Sequence, residues 1–362
     1  MYKVAIVILN WNGAGMLEAF LPSVIAQAGE EVAVYVADNG STDSSVELVR
    51  SRFPQVHLIL LDKNYGFAEG YNLALRQVEA TYVVLLNSDV EVTPGWLAPL
   101  VEYMDNHPDT AACQPKILSW HQKNMFEYAG AAGGYIDKYG YPFCRGRIMH
   151  VVEEDCGQYN TIAPVFWATG AALFIRKELY TSVGGLDPYF FAHMEEIDLC
   201  WRLRSRGWQI VCIPQSTVYH VGGATLKKEN PRKTFLNFRN NLLMLYKNLP
   251  QAELRKTMAV RCVLDYLAAI NFLLKGERAN AAAVLQARKE YNRIKADFAG
   301  QRALNLSLTT TRKIPQRIQK SILVQFYLRG RKSFGKLSTN DHEQKNEINK
   351  KTMGHAISPT PD

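Results

Sequence analysis

Four short apolar runs, at residues 4–9, 32–37, 56–61 and 82–86, are separated by three segments that suit helices, at 15–28, 44–53 and 67–78. Near-continuous apolar strands alternating with single helices predict a mostly parallel sheet covered on both faces, an α/β fold. Such sheets take their ligands at the carboxyl ends of the strands. Each of the four runs ends in polar residues: Asn10-Trp11-Asn12-Gly13, Asp38-Asn39-Gly40-Ser41-Thr42-Asp43, Asn64-Tyr65-Gly66-Phe67 and Asn87-Ser88-Asp89. One such cluster is ordinary turn chemistry. Four on one rim predict a nucleotide site. Ser44 and Glu47 have the spacing of a capping box at the start of the second helix.

Neither a GxGxxG after the first strand nor a GxxxxGK[ST] is present, which argues against a dinucleotide fingerprint and a P-loop. A diphosphate bound here needs its charge balanced by other means. An aspartate at a strand end with a second oxygen ligand nearby can hold a divalent cation. Asp89 and Asn87, two apart and so on one side of an extended chain, have that placement.

With 362 residues, 47% hydrophobic and 21% charged, the chain has the material for a large core and is not a mainly disordered polypeptide. No run reaches 18 to 20 uncharged apolar residues, and residues 1–13 read as a strand and not as a signal peptide, so the cytoplasm is the expected location. The six cysteines form no CxxC pair. They are expected as buried or half-buried free thiols in place of a zinc or redox site.

Charge divides the chain. Residues 1–225 hold 15 Lys+Arg and 24 Asp+Glu, whereas residues 226–362 hold 27 and 10. Within the basic part, apolar residues recur at helical spacing over 235–249, 258–274 and 318–328, with Lys and Arg at their margins. The second stretch carries Arg261 and Asp265 on one face, which makes it too polar to span a bilayer comfortably. These features suit helices lying in a membrane interface against anionic headgroups. Packing on the main domain or on a second subunit is the competing reading. Residues 337–362 lack periodic apolar positions and are expected to be disordered.

The segments VAIVILNWNG, VADNGSTDSS, NYGFAEGYN, LLNSDVEV, ATGAALFIRKELYTSVGGLDPYFFAHMEEIDLCWRLRSRGW and YHVGGAT together resemble a family 2 glycosyltransferase. The resemblance is to the GT-A fold and to the bacterial rhamnosyltransferase-like branch, and it runs from residue 3 to about residue 225. It implies a glycosyltransferase domain at 1–225, a basic helical extension at 226–336 and the tail beyond. It also implies that Asn10, Trp11, Asp38, Asn39 and Asp43 surround the nucleotide base, and that Asn64, Gly66, Phe67 and Asn72 line the nucleotide-sugar side. Asn87-Ser88-Asp89 stands where the family has a DxD-type metal motif, which implies a Mn2+ or Mg2+ site with Asp89 as its main charge. His220 falls where some relatives place a histidine near the diphosphate or the metal. Glu196 occupies the place of the family's catalytic base, with Glu195 as the alternative. Asp198 and Arg202, four apart on the next helix, read as a structural pair. Trp167, Thr169 and Gly170 are expected at the acceptor floor, with residues 121–160 as the variable acceptor-side segment.

The expected reaction is inverting, non-processive transfer of one sugar from a nucleoside-diphosphate sugar, of the dTDP-rhamnose or UDP-hexose type, to a hydroxyl of a glycan or lipid-linked acceptor. The QxxRW motif of processive synthases is absent. Expected surroundings are the inner face of the cell membrane, with peripheral contact through the basic helices and no nucleic-acid partner. A nucleotidyltransferase on a related fold ranks lower, because the first strand end carries no basic group to grip a triphosphate. An adaptor acting through the basic tail leaves the polar strand ends without a purpose.

Overall fold

The computed structural model describes residues 1–222 and 230–338. The last part of the stretch expected to be disordered, residues 339–362, and Gly223 after His220 lie outside the described residues. The chain opens with β1 (Tyr2–Asn10), α1 (Ala14–Ile25), β2 (Val32–Asn39), α2 (Ser45–Arg52) and β3 (His57–Leu61). It continues with α3 (Gly66–Leu75), β4 (Ala80–Asn87), β5 (Val90–Val92), α4 (Leu97–Asn106) and β6 (Thr110–Ser119). The expected alternation is present. β1 pairs in parallel with both β2 and β4, and β2 with β3.

A run of short strands follows: β7 (Gly134–Asp137), β8 (Pro142–Cys144), β9 (Arg147–Ile148), β10 (Val151–Val152) and β11 (Ala163–Pro164). Then come β12 (Ala172–Arg176), α5 (Lys177–Ser182), α6 (Glu195–Ser205) and β13 (Gln209–His220). Among the described residues the main sheet has the order β11-β13-β6-β12-β4-β1-β2-β3, with β5 on β13. β12 runs antiparallel to β4, so its first residue, Ala172, pairs with Leu86 near the carboxyl end of β4.

Successive β1 side chains point to opposite faces, as a strand's period requires. Ile6 and Ile8 pack with Leu17 and Leu21 of α1 and Leu100 of α4. Ala5 and Val7 join a second core with Tyr71 and Ala74 of α3 and Leu199 of α6. The expected capping box does not form. Ser44 makes no side-chain cap; Asp43 instead accepts the Ser45 N–H at 3.0 Å and the Ala14 N–H at 3.0 Å, serving the first turns of α2 and α1 together.

The basic region forms α7 (Pro231–Asn248), α8 (Gln251–Leu274), α9 (Arg278–Ile294), α10 (Ala299–Ser307) and the short β14 (Arg317–Ile318). α7 turns Leu242, Leu243 and Leu245 into the same core as α3 and α6. Each fully buried leucine is worth roughly 1.5–3 kcal/mol relative to exposure, so this first apolar stretch is committed to the domain and not to a bilayer. β14 completes a second, five-stranded sheet, β10-β9-β8-β7-β14, built from the segment expected on the acceptor side. All six cysteines are free as expected; five are buried or half-buried, and Cys156 departs from that expectation because it sits exposed in a surface bend.

Candidate active site

Strand pairing brings the expected residues to one rim. Asn10 of β1 lies opposite Asp38 of β2, and Leu9 lies opposite Asn87 of β4. The Asn87 N–H donates to the Ala171 carbonyl at 3.0 Å, which sets Gly170 and the start of β12 next along the edge. Neighbouring strands lie about 4.8 Å apart, so the rim from Asp38 to Gly170 spans about 14 Å, the scale of a nucleotide sugar's base-to-sugar reach. Asn10 is fully buried and its Nδ2 donates to Asp38 Oδ1 at 3.2 Å, while Asp38 Oδ2 accepts the Ser41 N–H at 2.9 Å. Trp11 stands exposed beside them, and Gly13 packs so closely on the Asn10 side chain that a Cβ there would collide with it.

At the end of β4, Asp89 Oδ1 lies 3.1 Å from His220 Nε2, and Asn87 Nδ2 lies 3.4 Å from the same nitrogen. The pairing of Val90 with His220 across β5 and β13 is what brings residues so distant in sequence together. Behind the ring, Glu127 Oε2 lies 3.4 Å from Nδ1. Burial works against a charged imidazole, but the hydrogen bonds and charges of Asp89 and Glu127 outweigh it and raise His220 to about 10. His220 in turn outweighs burial at Asp89 and lowers that carboxyl. Glu127 is buried in the glycine- and tyrosine-rich segment, where no spacing marks it out.

Glu195 and Glu196 open α6. Glu195 is 4% exposed, whereas Glu196 is half-buried beside Gly170, whose open position also meets the Phe67 ring. Burial raises both carboxyls: Glu195 rises further under repulsion from Glu196, and Glu196 is pushed up to about 7. One oxygen of each has no hydrogen-bond partner among the described residues. Glu196 is thus a carboxylate of near-neutral basicity, partly open to the cleft. Asp198 and Arg202 form the expected pair at 3.0 Å, and Lys247 of α7 completes it, reaching Asp198 at 2.9 Å and Asp187 at 2.6 Å.

Several expected ligand contacts are committed to the scaffold. Asn72 donates to the Leu186 carbonyl at 2.8 Å and accepts from the Tyr180 hydroxyl at 2.6 Å and the Leu186 N–H at 3.1 Å, so its amide joins α3 to the loop before α6 and does not face a sugar. Both Asp43 oxygens are occupied by helix N–H groups, which lets it shape the pocket without reaching into it. Asn39 Nδ2 donates to Asn64 Oδ1 at 3.2 Å and to the Gly66 carbonyl at 3.1 Å, fixing the turn into α3. Gly66 has φ +76°, and the Phe191 ring fills the place a side chain would need. Ser88 lies near Gly13, joining the β1 and β4 ends. Trp167, Thr169 and Gly170 are all buried in this floor, and of the three Gly170 is the one set against the Phe67 ring and Glu196.

The chain matches the model for glycosyl transferase family 2 over residues 5–130 and that for glycosyl transferase family group 2 over residues 82–249. It is 28% identical over 233 residues to an N-acetylglucosaminyl-diphospho-decaprenol L-rhamnosyltransferase of Mycobacterium tuberculosis, covering 59% of this chain and 75% of that one. It is 24% identical over 239 residues to the dTDP-rhamnosyl transferase RfbF of Shigella flexneri, covering 63% and 76%. Its fold is shared with the crystal structure of GalNAc-T7 with UDP, GalNAc and Mn2+, at a TM-score of 0.56 and 14% identity, over 83% of this chain and 57% of that one.

Proposed function

From a chain that belongs to the family 2 glycosyltransferases, in their rhamnosyltransferase-like branch and on the GT-A fold with a C-terminal helical extension, we propose inverting transfer of a single sugar to a lipid-linked glycan acceptor. The donor is a nucleoside-diphosphate sugar of the dTDP-rhamnose or UDP-hexose type. The observation that carries this reading is the shared rim: Asp38 and Asn10 at its base end, Asn87 and Asp89 in the middle, and Glu196 beside Gly170 at the far end. Glu196 takes the proton of the acceptor hydroxyl as that oxygen attacks the face of the sugar opposite the diphosphate. Its raised pKa suits a base working near neutral pH. Glu195, at 4% exposure the more enclosed of the two carboxyls, is the less accessible to an acceptor.

The residues at the β4 end fit a divalent cation. Asn87 and Asp89 offer two oxygen donors, and His220 would add a ring nitrogen only on giving up the proton it shares with Asp89, with Glu127 at its second ring nitrogen as carboxylates stand behind metal-bound histidines. Among the described residues no group of three or more His, Cys, Asp or Glu is spaced to hold an ion unaided, so phosphate oxygens of the donor would complete the set. Held there, Mn2+ or Mg2+ would offset the charge gathering on the departing diphosphate.

The acceptor side of the proposal draws on α8. Val263, Tyr266, Leu267, Ile270, Leu273 and Leu274 are exposed and fall within an arc of about 120° at 100° per residue. Arg255 and Lys256 precede this stripe and Lys275 follows it, all exposed. An apolar stripe with cationic ends suits the interface of an anionic membrane, where a lipid-linked acceptor resides.

The test pairs binding with transfer. Thermal shifts with UDP-glucose and dTDP-rhamnose in Mn2+ should identify the donor, and that donor should then transfer its sugar to an N-acetylglucosaminyl-diphospho-prenol. Neither donor raising the midpoint would remove the nucleotide-sugar reading.

A further inference from the structure

The loop that delivers Glu195 and Glu196 is strained. Phe191, His193 and Met194 have φ of +63°, +71° and +73°, and none is glycine. The Ala192 N–H donates back to the Phe190 carbonyl at 2.7 Å, with ψ −57° at Phe191, which is the rare three-residue turn of positive φ. Met194, still left-handed, is the residue on which α6 begins. Backbone of this kind persists only where the surroundings over-determine it.

Two elements hold it. From α3, the Phe67 N–H donates to the Phe191 carbonyl at 2.7 Å. From α7, Asn240, fully buried, turns Nδ2 toward three carbonyls: Phe190 at 2.9 Å, Ala192 at 2.9 Å and His193 at 2.8 Å. The amide's own orientation is fixed, because Arg239 donates to Asn240 Oδ1 at 2.9 and 2.8 Å and also to the Tyr189 carbonyl at 3.0 Å. Three carbonyls of one loop converging on two N–H bonds is a use few side chains can serve. Aspartate would set oxygen against oxygen, and alanine would take this donor from the Ala192 and His193 carbonyls, leaving the Phe190 carbonyl only its turn partner, the Ala192 N–H, and the long Arg239 contact.

We infer that Asn240 is a positioning residue for the base: it clamps the strained 190–194 loop and so fixes where the first turn of α6 aims Glu196. This rests on the reading of Glu196 given above. It also makes the helical extension part of the catalytic machinery and more than a seat for the enzyme. Asn240 itself does not touch substrate.

The experiment uses the full chain with the donor and the N-acetylglucosaminyl-diphospho-prenol acceptor named above. Asn240→Ala should lower kcat about 10- to 100-fold, the scale of a misplacement near 1 Å. Donor KM and the affinity for UDP or dTDP should change less than about twofold, because the nucleotide end of the rim is built from β1 and β2. In a Glu196→Gln background, Asn240→Ala should cause no further loss, since a residue acting through the base has nothing left to position. If Asn240→Ala does not fold, Asn240→Ser, which keeps one donor, should show a smaller fall in kcat with the same unchanged KM. An unaltered kcat in the folded variant, or an equal further loss in the Glu196→Gln background, would overturn the inference. Full activity of Glu196→Gln alone would instead overturn the assignment of the base, so the two failures are distinct.

Discussion

Glu196→Gln tests the site without an acceptor in hand, through stability. In the folded chain burial lifts this carboxyl from 4.5 to about 7. Between those two values the folded state binds a proton that the unfolded state has released, so stability falls as pH rises through this window. The stabilising proton is fully present in both states below about pH 4.5 and is lost from the folded one above about pH 7. At about pH 8 the ionised side chain therefore costs the fold roughly 3 kcal/mol, taking 1.36 kcal/mol for each pK unit. Glutamine has nearly the same shape and never ionises, and it also relieves the repulsion that raises Glu195. The variant should gain about 3 kcal/mol in urea unfolding at about pH 8 and almost nothing at about pH 4.5. It should lose transfer by about 10²–10⁴-fold, the usual contribution of a placed base. Greater stability with lost activity is the mark of a group held in an unfavourable state for its chemistry. An equal unfolding free energy for both proteins at about pH 8 would refute the claim that burial holds the Glu196 carboxyl in an unfavourable ionised state.

Lys247→Met removes the cation paired with buried Asp187 and one of the two paired with buried Asp198, which keeps Arg202, and should lower the unfolding free energy by about 3–5 kcal/mol in the same urea assay. Asp89→Ala should abolish Mn2+ binding measured by calorimetry in the presence of UDP or dTDP, with transfer only partly restored by excess metal; full activity without metal would remove Asp89 from the mechanism. Ile270→Glu with Leu267→Glu on α8 should weaken flotation with anionic liposomes at least about tenfold and leave the thermal midpoint unchanged, because both side chains are exposed. Equal flotation of the variant would show that this stripe is not what meets the bilayer.

The strand-and-helix half of the chain was legible because its signals are local. Near-continuous apolar runs ending in Asn, Asp and Gly mark both the strands and their carboxyl rim. Partners were not legible. Asn72 and Asp43 carry the side chains of a binding site, yet their amide and carboxyl atoms are spent on Leu186 and on helix N–H groups, which sequence spacing does not reveal. Asn240 and Lys247 read as polar interruptions in an apolar helix. In the fold they are buried, because their acceptors are loop carbonyls and carboxylates 47 to 60 residues away. Glu127 had no signal at all. A buried polar residue is recognisable only from what it touches.

The same distinction decides how α8 is used. It is the one helix among the described residues long and apolar enough to cross a membrane. Arg261 and Asp265 seemed to make it too polar for that, but composition alone misreads them. Both are buried: Arg261 binds Asp265 at 3.1 Å, the Tyr139 carbonyl at 3.0 Å and the Asn241 side chain, while Asp265 also takes Arg288 of α9 at 2.6 Å. These charges face the protein, so they subtract nothing from the hydrophobicity of the outer stripe. A helix crossing the bilayer would have to leave that network, and a buried ion pair stripped of one partner costs about 3–5 kcal/mol. Lying flat, α8 keeps every ionic contact and offers lipid a face without a carboxylate. The charge pattern that argues against spanning is therefore the physical reason that the membrane contact proposed above has α8 in the plane of the interface.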